Sequence, residues 1–208
     1  MQPDTNARIL LDMVAASGQP KRWDLAPPDA RTKVIELTRM VECQEAIGEI
    51  QNRTLPGPAG PLPFRVYTPV AANEPSGGVI YFHGGAWVLG DLDTHDCLCR
   101  ILANESGCRL VSVDYRLAPE HPFPAAVEDA CAATAWIAAH AAELAIDPTC
   151  LAVAGDSAGG TLAAVVCQRA RGSGFKIALE VLLCPQPTLL PTISPAASLR
   201  RDISLKAP

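Results

Sequence analysis

The pentapeptide Gly155-Asp156-Ser157-Ala158-Gly159 sets a serine between glycines two positions before it and two after it. A serine hydroxyl is a weak nucleophile unless the backbone holds it exposed beside a base. A sharp strand-to-helix turn does this, but it crowds its own neighbours, so the flanking positions must be tiny. Gly155 and Gly159 meet that demand, with Asp156 completing the turn. The pattern Gly-x-Ser-x-Gly alone is unspecific, since about one chain of this size in fifteen carries it by chance. Its setting gives it weight: an apolar run, Leu151 to Ala154, precedes it and a helical period, Ala158 to Arg171, follows. Ser157 is then a nucleophile at a helix N-terminus, where free amides favour developing negative charge.

A second segment complements it. Tyr81-Phe82-His83-Gly84-Gly85-Ala86-Trp87 follows a short apolar run. Acyl transfer passes through a tetrahedral oxyanion, which backbone N–H groups stabilise in a dry pocket. Successive glycines let the backbone approach a substrate closely. The expected donors are the amides of Gly84, Gly85 and Ala158, the residue after the serine. His83 lies in this loop, before the serine, and is read as a brace for it. His95, Cys97 and Cys99 lack a further ligand pair at zinc spacing, so no metal is expected.

These motifs need elements to carry them. Residues 5–17 and 29–46 have helical periods, with Ile9, Leu10, Met13 and Val14 on one face and Val34, Leu37 and Val41 on another. Asp29 is a cap for the second. Residues 62–70 alternate as a strand, Gly78 to Phe82 is apolar enough for a buried strand, and Leu110 to Val113, Cys150 to Ala154 and Ile177 to Cys184 are further strands. Between them come helices over Asp93–Ser106, Pro124–Ala142 and Ala158–Arg171, with a turn at Asp147-Pro148. Alternating strands and helices predict an α/β fold, a mostly parallel sheet with helices on both faces. The organisation expected is residues 1–48 as N-terminal cap helices, 49–186 as a partial core and 187–208 as an irregular tail.

Composition excludes other classes. The chain has 208 residues, 49% hydrophobic and 19% charged, enough to bury a core. A net charge of −5 without a basic stripe argues against nucleic acid as a partner. No apolar run is long enough to span a bilayer. The start, Met1-Gln2-Pro3-Asp4, lacks a secretory pattern, so a cytoplasmic location is expected. The eight cysteines are then read as small reduced hydrophobes.

Three blocks together resemble the hormone-sensitive-lipase-like carboxylesterases of the α/β-hydrolase superfamily. They are His83-Gly84-Gly85-Ala86-Trp87, Val113-Asp114-Tyr115-Arg116-Leu117-Ala118-Pro119-Glu120-His121-Pro122-Phe123-Pro124-Ala125, and Gly155-Asp156-Ser157-Ala158-Gly159-Gly160. Ala86 stands where the family usually has a third glycine, and its N–H can still donate. The resemblance implies an N-terminal helical cap, short-acyl ester substrates, no cofactor and a Ser–His–Asp triad. It also implies that Asp114, Arg116, Glu120 and His121 fix a loop rather than perform chemistry.

The triad order in this fold is serine, acid, histidine. All four histidines, His83, His95, His121 and His140, precede Ser157, and only Glu180 and Asp202 are acids beyond it. The last strands and helices of the fold are missing too. Strand 177–184 is therefore expected to be a bare apolar edge that invites self-association. In the tail, Arg201-Asp202-Ile203-Ser204-Leu205-Lys206 shifted by one base can encode Gly-Tyr-Phe-Val-Glu-Ser, resembling an aromatic segment of the family, so a frameshift is expected. The function expected is a serine ester hydrolase acting through an acyl-enzyme on Ser157, crippled by the absent acid and histidine. The alternatives are a non-catalytic binding module that keeps an acyl pocket, or an inactive fragment.

Overall fold

A computed structural model describes residues 3–18, 24–40, 42–72 and 74–185. The expected tail, 187–208, lies outside the described residues. Among the described residues six strands form one sheet in the order β1-β2-β4-β3-β5-β6: β1 Glu49–Gly57, β2 Gly60–Thr68, β3 Ser76–Phe82, β4 Arg109–Val113, β5 Ile146–Asp156 and β6 Leu179–Leu183. β3, β4, β5 and β6 run parallel, while the hairpin β1–β2 adds an antiparallel flank against β4.

Alternation along the strands builds two cores. Ile80, Phe82, Val111, Val113 and Val153 point to one face, where α4 (Ala125–Ala139) and α5 (Ala158–Arg169) pack Ala130, Ile137, Leu162 and Val166 against them. Tyr81, Leu110 and Ala154 point to the other, where α3 (Asp96–Ser106) supplies Cys99 and Ala103. This is the helix-covered parallel sheet that alternating elements demand. The register aligns Phe82 with Val113 on one side and Gly155 on the other. The loops leaving β3, β4 and β5 therefore emerge together at the carboxyl edge, where α/β sheets bind ligands.

Several boundaries differ from the sequence expectation. The strand β1 shows no apolar alternation because it is a solvated edge, with Leu55 its one buried residue. The helix expected over 29–46 is α2, Pro27–Arg39, capped by Ala26 with proline at its start instead of by Asp29. It stops early because tertiary bonds capture the connector beyond it. Cys43 is disulfide-bonded to Cys97, Arg100 donates to Glu45 O (3.3 Å), and Asn104 donates to Ala46 O (2.6 Å). That disulfide, with Cα atoms 5.4 Å apart, corrects the reading of all cysteines as reduced hydrophobes. The helix over Pro124–Ala142 breaks at His140, and a 3-10 turn takes Ala141–Leu144. The Asp147-Pro148 turn lies within β5 as a bulge: pairing jumps from Ser76–Ile146 to Gly78–Leu151, and Asp147 accepts from Thr149 N (2.8 Å).

The first helix, α1 (Thr5–Ala16), is capped by Asp4, which accepts from Ala7 N (2.9 Å). Its apolar face is not covered: Ile9, Met13 and Val14 are all more than half exposed. α2 is held by Arg31. Its Nε donates to Val88 O (2.7 Å), its Nη2 to Ala118 O (2.8 Å), and both Nη atoms reach the Glu120 carboxylate. A surface pair alone contributes little, but here two carbonyl bonds accompany it.

Candidate active site

The turn at the end of β5 leads through Ser157 into α5, and Ser157 has φ 50° and ψ −116°, a conformation that L-residues rarely adopt. Its N–H donates to Leu183 O of β6 (2.8 Å), and its carbonyl accepts from Thr161 N (3.1 Å). The glycine requirement has a steric cause on both sides. A Cβ on Gly155 would strike the Gly159 backbone, and one on Gly159 would strike the carbonyls of Phe82 and His83. The turn therefore rests directly on the end of β3 and the start of the loop that follows, bringing the two motifs into contact.

That loop is built on His83. Burial pushes its imidazole down to about 4, so the ring is neutral. Its Nδ1 faces Gly84 O (2.8 Å), which only accepts, so Nδ1 carries the proton. The ring stacks on Tyr115, with centroids 4.4 Å apart, and Tyr115 donates to His83 O (2.7 Å). His83 is thus tied to the loop through Gly84 O and to Tyr115 through its ring and its carbonyl. Gly85 then turns at φ 124°, and Ala86 and Trp87 follow at φ 54° and 59°. Val88 and Leu89 close the bend by donating to Gly85 O (3.0 and 2.8 Å).

One expected oxyanion donor is corrected here. The Gly84 amide donates to Asp156 Oδ1 (2.8 Å), so it is spent inside the protein. The amides of Gly85, Ala86 and Ala158 have no acceptor among the described residues. Asp156 thus does more than fill the turn. The same Oδ1 accepts from Tyr81 OH (2.5 Å) and lies 3.5 Å from His95 Nε2. Burial opposes the charge on this carboxylate, but His95, Tyr81 and the Gly84 amide overcome it and hold the carboxyl below its usual range.

The other expected residues are placed plainly. His95 is oriented: its Nδ1 meets Thr94 Oγ1 (3.0 Å), its Nε2 faces Asp156, and its ring lies 5.3 Å from His83. His140 stacks on Trp136 at the end of α4, and His121 is exposed on the loop after β4. Arg116 binds the buried Asp129 carboxylate (2.8 Å), and Glu120 binds Arg31, so both fix the loop before α4. Asp114 is raised to about 6 by burial, reinforced by Asp91 and Asp93. The roles of Tyr81 and Arg31 were not legible in the sequence, the first lying in a strand and the second in a helix of mixed composition. No metal-binding group of His, Cys, Asp or Glu occurs among the described residues.

A cavity of about 340 Å³ opens between α2 and the loop, lined by Leu25, Pro27, Ala30, Gly85, Ala86 and Val88 among others. It is apolar and borders Gly85 and Ala86. A larger cleft of about 500 Å³ lies between the end of α5 and β6 and carries none of these residues.

A family model described as the alpha/beta hydrolase fold matches residues 79–206, more than half of the chain. The chain is an α/β-hydrolase. This α/β-hydrolase is 56% identical over 127 residues to the esterase LipI of Mycobacterium tuberculosis, a match covering 60% of this chain and 40% of LipI. It is 40% identical over 157 residues to an arylesterase of Saccharolobus solfataricus, covering 76% of this chain and 51% of that protein. Among solved structures it is similar to the hyperthermophilic esterase of the archaeon Pyrobaculum calidifontis, with TM-score 0.79 and 44% identity, covering 84% of this chain and 56% of that one. The α/β-hydrolase chain thus spans about half the length of these relatives.

Proposed function

We propose that this chain carries the nucleophile and oxyanion half of a serine carboxylesterase acting on short-acyl esters. Ser157 Oγ attacks the ester carbonyl as its proton passes to water, the tetrahedral oxyanion is held by the amides of Gly85, Ala86 and Ala158, and its collapse to the acyl-enzyme releases the alcohol, protonated by water, before a second water hydrolyses the acyl-enzyme. Each such donor contributes about 3 kcal/mol to the transition state. The apolar cavity beneath α2 takes the acyl or alkyl group. The observation that carries this reading is the contact between the Ser157 turn and the 83–87 loop, with three amides that have no acceptor among the described residues. No cofactor takes part in such chemistry.

Both nearby histidines are engaged elsewhere, which favours slow turnover. His83 is buried and spends its proton on Gly84, and His95 faces Asp156. The same observation supports the second reading, a binding module that holds acyl esters without turning them over. Hydrolysis of p-nitrophenyl acetate by the chain and by Ser157→Ala separates the two. Slow turnover that the substitution abolishes supports the esterase. Equal background rates in both proteins refute it, and ester binding without turnover then supports the second reading.

Self-association belongs to the same proposal. Leu179 and Leu182 of β6 are 56% and 38% exposed on the outermost strand. Sedimentation of a concentration-independent monomer would refute it. Among the described residues no helix is long and apolar enough to cross a membrane. The cytoplasmic placement holds only with Cys43 and Cys97 reduced, so alkylation of freshly lysed cells tests it.

A further inference from the structure

We propose that Asp156 is a positioning residue: it takes up the Gly84 amide, with Tyr81 and His95 holding its carboxylate, and so sets which loop amides face Ser157. The inference rests on the esterase reading and deepens it.

Three separate elements converge on one carboxylate oxygen. Tyr81 comes from β3, Gly84 from the loop after it, and His95 from the turn before α3. Sheet register makes this convergence systematic. Tyr81 pairs with Ala154 of the adjacent strand, so Tyr81 and Asp156, two residues on, share a face of the sheet. Tyr81 is fully buried, and its hydroxyl bonds to Asp156, so its polarity is tied to this contact.

Steric evidence agrees. A Cβ on Gly84 would fall on Asp156 Oδ2, so Gly84 is a glycine because of the carboxylate. Gly85, in contrast, turns at φ 124°, and its amide has no acceptor among the described residues. The first glycine of the loop anchors and the second presents. A negative carboxylate beside an oxyanion would oppose catalysis if it were unattended. Here two donated hydrogen bonds and an imidazole draw its charge toward Tyr81, Gly84 and His95, away from the pocket.

The test compares the full chain with Asp156→Asn, Asp156→Ala, Tyr81→Phe and His95→Gln. Amide hydrogen exchange at Gly84 and Gly85 is read by NMR, and kcat and KM are read on p-nitrophenyl acetate. Gly84 should exchange about tenfold more slowly than Gly85 in the parent, and Asp156→Ala should remove the difference. Asp156→Asn, which keeps an acceptor oxygen, should restore part of the protection. Turnover should fall about 100-fold in Asp156→Ala with KM held within about twofold. Tyr81→Phe and His95→Gln should move both readouts the same way, by less.

Equal Gly84 exchange in the parent and in a folded Asp156→Ala protein overturns the proposal. So does a loss that appears in KM alone. If Asp156→Ala does not fold, Tyr81→Phe and Asp156→Asn carry the exchange comparison. Should the parent show no Ser157-dependent turnover, the esterase reading fails while the exchange measurement still decides the role of Asp156.

Discussion

Replacing Ser157 by glycine should make the protein more stable than replacing it by alanine. Ser157 sits at φ 50° and ψ −116°. The left-handed helical region has ψ near +47°, so this residue lies outside every well open to a side chain. Holding an L-residue there costs about 1–3 kcal/mol. Alanine keeps the Cβ and therefore the strain, whereas glycine releases it. Glycine also adds freedom to the unfolded chain, at about 0.5–1 kcal/mol. The difference leaves about 1 kcal/mol in favour of glycine. Neither variant has the hydroxyl, and both keep the backbone bonds to Leu183 and Thr161, so the comparison isolates the conformational cost. For a domain of this size that is a Tm higher by about 2–4 °C in Ser157→Gly than in Ser157→Ala. Thermal melts followed by circular dichroism read it. A Ser157→Gly protein that melts at or below Ser157→Ala would refute the claim that the turn stores strain.

Other perturbations have defined outcomes. Arg31→Ala removes the bonds to Val88 O and Ala118 O, so it should cost about 1–2 kcal/mol in urea unfolding and speed proteolysis within residues 24–40. Asp114 is raised to about 6 in the fold from an ordinary 3.8, so the folded chain keeps a proton that the unfolded chain releases. Its contribution is therefore unfavourable above pH 6 and vanishes below about pH 4. Asp114→Asn should stabilise by about 2 kcal/mol at pH 7.5 and by clearly less at pH 5, as read by denaturant midpoints. His83 works in the opposite sense: its neutral form is favoured by burial, so stability should fall as pH drops from 6.5 toward 4 unless this histidine is replaced. Reducing the Cys43–Cys97 disulfide, which spans 54 residues, should cost about 4 kcal/mol. Dithiothreitol should lower the Tm of the parent and leave Cys43→Ser unchanged, and an unmoved parent would show the bond does not form.

The parts of this fold that were legible from sequence are those governed by local rules. Apolar runs ending in small turn residues announced β3, β4, β5 and the Ser157 turn, because burial on both faces of a parallel strand leaves a continuous apolar signal. The strand β1 left no such signal, since one buried Leu55 in a solvated edge cannot make an alternation. Helix α2 ran past its true end because its stop comes from Cys97, Arg100 and Asn104, which are more than fifty residues away. The same limit governs the site. Gly84 and Gly85 look alike as neighbours in a loop, and only the carboxylate of Asp156, more than seventy positions on, tells them apart. The family resemblance already allowed the Ala86 N–H as a donor, but that Gly84, two positions before it, is taken up by Asp156 is set by the sheet and not by the loop.

The Cys43–Cys97 bond gives the molecule a closed covalent circuit. The circuit encloses the β1–β2 hairpin, β3 and the bend from His83 to Ala86, and the chain enters and leaves it only at the two sulfurs. A protease that cuts the exposed turn at Val70 opens the ring without dividing the molecule. The nicked protein should migrate as one band on a non-reducing gel and as two once thiol is added. The fragment carrying the Gly85 and Ala86 amides thereby stays joined to the N-terminal fragment through Cys97 after the cut.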